Sequence, residues 1–196
     1  MSTKSAIITK TIGKPITDEK DYLVIKDFSL ETLKTFHREF RELNEDPEIS
    51  VITIIINSYG GSVHALLGML DVIDMAHKPV STIAIGAAMS CGVILLSAGT
   101  KGLRFAGARA DIMIHEVSSM EMGKLTELEA NLAQTKRMND MLMVELAKNS
   151  GKKDPKFFIK EMKKRTNLDW FVTAAEAKKL GIIDHVGVPE FITRKE

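Results

Sequence analysis

From Val80 to Thr100 the chain carries no charged residue, and Lys78 and Lys101 stand on either side. A stretch of that length either crosses a bilayer or lies inside a protein core. Ser81, Thr82, Gly86, Ser90, Gly92, Ser97, Gly99 and Thr100 interrupt it, and its apolar parts divide into a strand-like VSTIAI and a helix-like CGVILLSA. That division favours the core: a buried strand over Val80–Ile85, a loop from Gly86 to Gly92, and a buried helix opening near Ser90. No membrane partner is expected.

The flanking sequence has the same alternation. YLVI (Tyr22–Ile25) reads as a short strand, and Leu30, Leu33, Phe36, Phe40 and Leu43 then recur three or four apart, as on one helical face. VITIII (Val51–Ile56) is β-branched throughout, as a strand covered on both faces is. It runs into the turn Asn57-Ser58-Tyr59-Gly60-Gly61, and a helix follows from about Ser62 to His77, with Leu66, Leu70 and Ile73 on one side. DIMIH (Asp111–His115) is another strand. Leu125 to Asn149 forms a long, charge-rich helix stopped by Gly151, on which Leu125, Leu128, Leu132, Met138, Leu142 and Leu146 mark the apolar positions. Thr173 to Glu176 is a capping box that opens a short helix ending at Leu180-Gly181. Strand and helix in turn predict stacked βαβ units with right-handed crossovers, in a single α/β domain over residues 1–196.

The chain has 196 residues, 44% of them hydrophobic, enough for one sizeable core. Lys plus Arg (27) nearly balances Asp plus Glu (26), so the basic footprint of a nucleic-acid binder is missing. Cys91 is the one cysteine, and the opening MSTKSAIITK lacks the apolar core of a secretory signal, so the cytoplasm is expected.

Chemistry in such sheets gathers where strands end and helices begin. Three loops qualify: Ser58–Ser62, Gly86–Gly92 and the turn after His115. Ser90 lies among small residues in GAAMSCG at the start of an apolar helix, where unpaired N–H groups favour developing negative charge. The residues alone leave it equally readable as a nucleophile or as an ordinary helix cap. His115 is likewise readable as an ordinary strand-end histidine, in the same group as His37, His64, His77 and His185.

NSYGGSV (Asn57–Val63), IGAAMSCG (Ile85–Gly92), AGTKGLRFA (Ala98–Ala106), MIHE (Met113–Glu116) and FVTAAEAKKLGIIDHV (Phe171–Val186) resemble, in order, the signature blocks of the ClpP family of serine peptidases. The resemblance implies a ClpP/crotonase-like stacked βαβ superhelix with the long helix, about 125–149, as a handle. It implies Ser90 as nucleophile, His115 as general base and Asp169 as the acid orienting it, with the backbone N–H groups of Gly61 and Cys91 as the oxyanion hole. It also implies a ring homo-oligomer, a tetradecamer, that degrades unfolded polypeptides. No metal or cofactor is expected in this subunit, and ATP is used only by a partner AAA+ unfoldase. Asp111, Asp154 and Asp184 are rivals for the acid, and the Cys91 thiol is a rival nucleophile.

The departures are as specific. Tyr59 stands at the family's usual proline, Met89 replaces a small residue, and Glu116-Val117 replace Gln-Pro after the histidine; all are expected to touch substrate-binding walls. Asn167 and Leu168 replace a charged pair before Asp169, Lys152–Phe158 is lengthened, and no copy of the N-terminal pore loop is recognisable. Relatives acting in phage head maturation, membrane-linked signal-peptide peptidases, non-catalytic ring subunits and crotonase-type acyl-CoA enzymes share parts of the pattern.

Overall fold

A computed structural model describes residues 21–120, 122–166 and 169–189. Four strands run parallel in the order β1 (Tyr22–Ile25), β2 (Ile52–Ser58), β3 (Val80–Met89) and β4 (Arg104–Ala106), and β7 (His185–Val186) pairs with β4 at the edge. Helices α1 (Leu30–Glu45) and α2 (Val63–Asp74) start where Ser29 and Ser62 accept hydrogen bonds from the N–H groups of Thr32 and Ala65. Phe36, Phe40 and Leu43 of α1 and Leu66, Met69 and Ile73 of α2 are buried in one cluster with Ile52, Ile54 and Ile56 of β2. Each such side chain contributes about 1.5–3 kcal/mol through burial. Leu30, at the first turn of α1, is 72% exposed and does not share the face its spacing assigned to it.

The uncharged stretch divides into a strand and a helix. Among the described residues, no helix is long and apolar enough to cross a membrane. The strand is longer than its sequence pattern predicts. The segment expected as a loop from Gly86 continues β3 to Met89, and α3 (Cys91–Ser97), every residue of it buried, begins after the single residue Ser90. Gly86 makes this possible at φ 84, where a Cβ would lie 2.6 Å from Asn57 Oδ1, and that oxygen accepts the Ala87 N–H at 3.1 Å. The β2–β3 register shifts at the same level, between Ile56 and Ser58.

At this irregularity one strand changes pairing partner. Thr82–Ala84 pair with β4, while Ala87–Met89 pair with β5 (Asp111–Ile114). β5 in turn pairs antiparallel with β6 (Trp170–Thr173), a strand that the alternating pattern does not predict.

Helix α4 (Leu125–Asn149) ends in a Schellman arrangement: Gly151 is left-handed at φ 67, Lys152 N–H donates to Ala147 O at 2.8 Å and Gly151 N–H to Lys148 O at 3.0 Å. Its apolar face is buried only in the last turns, through Leu142, Met143, Leu146 and Ala147. Leu125 and Leu132, assigned to the same face by spacing, are 72% and 69% exposed, because the front of the helix extends beyond the domain that buries its end. Helix α5 (Phe157–Lys164) packs Phe158 near Trp170, with ring centroids 6.2 Å apart. Helix α6 (Ala174–Leu180) has the Thr173/Glu176 capping box and ends at Gly181, φ 79.

Buried Arg104 ties these parts together. Its guanidinium pairs with Asp184 at 2.7 Å and donates to Asn149 O at the end of α4 (2.8 Å) and to Ser97 O at the end of α3 (3.4 Å). Burial pushes the Asp184 carboxyl up, but hydrogen bonds and charge from Arg104, with the N–H groups of Gly102 and Arg104, outweigh it and leave the group below its ordinary value.

Candidate active site

Ser90 is the single residue between β3 and α3, with φ 54 and ψ −119. A non-glycine side chain at such torsions is held in strain of about 1–3 kcal/mol, and the surroundings must over-determine it. They do so on three sides. Ser90 N–H donates to Met113 O of β5 at 3.1 Å, Gly92 brings α3 against Ser58 O, and Gly60 packs so closely that a Cβ there would lie 2.7 Å from Ser90 Cβ. The Ser90 side chain makes no capping bond to α3. Its geometry departs from that of a cap, which lies in the extended region.

His115 and Asp169 come together through strand register. Ile114 and Trp170 are partners on the antiparallel β5–β6 ladder, so the next residue outward on each strand is His115 on one and Asp169 on the other. His115 Nδ1 and Asp169 Oδ1 are 3.8 Å apart, close enough for charge attraction and longer than a hydrogen bond. Sites without substrate often have such looser contacts. Ser90 and His115 line one recess.

The oxyanion candidates border the same recess. Gly61, at φ 149, is pinned by a bridge to Phe28, in the segment between β1 and α1, where a Cβ would lie 2.5 Å from Phe28 O; the Ser62 N–H donates to that oxygen at 2.7 Å. Cys91 opens α3. Among the described residues, neither the Gly61 nor the Cys91 N–H donates to a backbone carbonyl. The Cys91 thiol is 2% exposed and donates to Gly61 O at 3.4 Å, and burial pushes its pKa up. That environment opposes the thiolate a cysteine nucleophile needs.

Two of the rival aspartates are paired elsewhere: Asp184 with Arg104 and Asp154 with Lys160, each at 2.7 Å. Asp111 is the exposed first residue of β5, at the opposite end of that strand from His115. His185 stacks on Phe105 at 4.9 Å, while His37, His64 and His77 are exposed.

A family description, Clp protease, matches residues 8–190. The chain belongs to the Clp protease family. Membership makes it a ClpP-like peptidase on a mixed α/β fold. Of the four departures from the family pattern expected at substrate-binding walls, only Val117 lines the recess. Tyr59 is 80% exposed, Glu116 is exposed, and Met89 pairs with Met113 on the sheet. The pair Asn167-Leu168 and the segment expected to lack a pore loop lie outside the described residues.

Sequence reasoning missed the apolar wall. Val63, Val93, Ile94 and Ile114 line the recess from one side, and Leu142 and Met143 reach it from the end of α4. Nothing in the spacing of a charge-rich helix indicates that its last turns border a site near Ser90.

Proposed function

We propose that this chain is a serine endopeptidase, the proteolytic subunit of a Clp-type protease, acting through Ser90, His115 and Asp169. The observation that carries the reading is Ser90 at φ 54 between a strand and a helix, beside a histidine that strand register places opposite an aspartate. Ser90 Oγ attacks the scissile carbonyl carbon as His115 takes its proton. The resulting oxyanion is bound by the N–H groups of Gly61 and Cys91, each such donor contributing about 2.7–4 kcal/mol. Collapse of this intermediate breaks the C–N bond, and His115 returns the proton to the leaving amine. Water then attacks the acyl-enzyme with His115 again as base, restoring Ser90. Asp169 holds the imidazole in the tautomer that both steps need. The recess beside Ser90 receives the side chain on the acyl side of the cut.

Leu125, Leu132, Met141 and Val144 expose apolar surface along α4, which supports a ring homo-oligomer, a tetradecamer, closed around its active sites. Such a chamber admits unfolded polypeptides delivered by an AAA+ unfoldase, with ATP used by that partner. Light scattering at micromolar concentration is expected to give about fourteen chain masses; the mass of one chain would sink the chamber.

The chemistry is tested with a fluorogenic short peptide and a folded protein, each with and without an AAA+ unfoldase. Ser90→Ala is expected to abolish cleavage, by a factor of about 10⁶, as loss of a triad nucleophile does. Cys91→Ala keeps the backbone donor and is expected to retain most activity. The reverse result would transfer the nucleophile to Cys91.

A further inference from the structure

Among the described residues between His115 and the start of α4 at Leu125 there is no strand or helix, yet one amide there is clamped. Val117 N–H donates to Asn139 Oδ1 at 3.1 Å, from a position two residues past His115 to the middle of α4. Both residues are half-buried. One turn earlier on α4, Thr135 Oγ1 lies 3.5 Å from Ser119 Oγ, a weaker contact between the same two segments. One turn later, Leu142 and Met143, 4% and 3% exposed, form the recess wall together with Val117. A shielded N–H needs an acceptor. Val117 supplies the donor, and Asn139 Oδ1 is its acceptor.

We infer that Asn139 is a positioning residue that fixes the Val117 wall of the recess and so sets which side chain the recess accepts on the acyl side of the cut. The inference rests on the peptidase reading above. The end of α4 then shapes specificity in two ways: directly through Leu142 and Met143, and through the Asn139 clamp on Val117. Without the clamp, the Val117 wall is free to move and an apolar side chain loses contact before reaction and in the transition state alike. Uniform loss of that kind appears in KM and not in kcat.

The test compares peptides with leucine or alanine at the acyl-side position, using the assembled protein. Asn139→Ala is expected to raise KM for the leucine peptide about fivefold, the effect of one lost hydrogen bond, with kcat within about twofold. Discrimination between leucine and alanine falls by a similar factor. Asn139→Asp keeps the acceptor and restores both values. Val117→Pro deletes the donor, and in that background Asn139→Ala has no further effect, since the pair acts as one unit. Amide exchange at Val117 speeds up in Asn139→Ala whether or not any peptide is cleaved.

Unchanged KM and discrimination in Asn139→Ala, or a fall confined to kcat, would overturn the inference. So would additive effects in the Val117→Pro background. If Asn139→Ala does not fold, weakened leucine selection in Val117→Pro together with normal selection in Asn139→Asp supports the clamp, and any other pattern removes it. Wild-type protein that cleaves no peptide overturns the peptidase reading and the specificity role with it, while Val117 exchange separately reports whether the clamp exists.

Discussion

The two halves of the candidate site are built differently. Ser90 sits at a junction whose following helix is wholly buried, with Gly60 in van der Waals contact and Arg104 fastening the far end of that helix at Ser97. Asp169 stands outside the last pair of an edge ladder, 57% exposed and 3.8 Å from His115. The Ser90 half is positioned by packing of the core, and its geometry cannot change without cost to the fold. The Asp169 half is positioned by register alone, so a change there is separable from stability.

The sharpest way to break this comparison is Asp169→Asn. Turnover is expected to fall by about 10⁴ through the wrong histidine tautomer. Urea midpoints, read beside the kinetics, should show stability within about 0.5 kcal/mol of wild type, as for an exposed substitution. A large loss of stability would mean that the acid half is packed as tightly as the other.

Arg104→Met tests the opposite end. Leaving Asp184 partly buried without its partner is expected to cost about 3–5 kcal/mol in urea unfolding, the effect of breaking a buried pair. The same pair carries a pH dependence. Since the folded Asp184 carboxyl lies below its ordinary value, its stabilisation is complete above the unfolded pKa, near 3.9, and is lost as pH falls through the lower folded value. Wild type should therefore lose stability below about pH 4, and Arg104→Met should lack this component. Parallel acid limbs for the two proteins would remove the pair from the argument.

Gly60→Ala is the finer probe. Its methyl would sit at φ 112, 2.7 Å from Ser90 Cβ, and the displacement of Ser90 is expected to lower kcat by about 10²-fold. Circular dichroism should show the fold retained. Full activity would mean that the junction is looser than its contacts imply.

Much of the fold was legible in local pattern. The Thr173/Glu176 box caps a helix where the residues suggest, and Gly151 and Gly181 end helices in left-handed conformations. Less of the site was legible. Ser90, His115 and Gly61 were singled out by the short motif block around each, and the recess brings these three together from well-separated parts of the sequence. The wall from Leu142 and Met143 and the Asn139 clamp gave no local signal, because each depends on which face of α4 meets a segment more than a helical turn away in sequence.

The sequence by itself determined the alternation of strand and helix, the Thr173/Glu176 cap, the burial of most of Val80–Thr100 and the order of the motif blocks, since each is set by residues within one or two turns of chain. Only the tertiary structure decided how β3 divides its pairing between β4 and β5, where α4 leaves the core, and that Asp169 faces His115. The last depends on pairing Asp111–Ile114 with Trp170–Thr173 across the whole length of α4 and α5. Register across such a separation is fixed by which faces the core buries, and no window of local sequence contains that information.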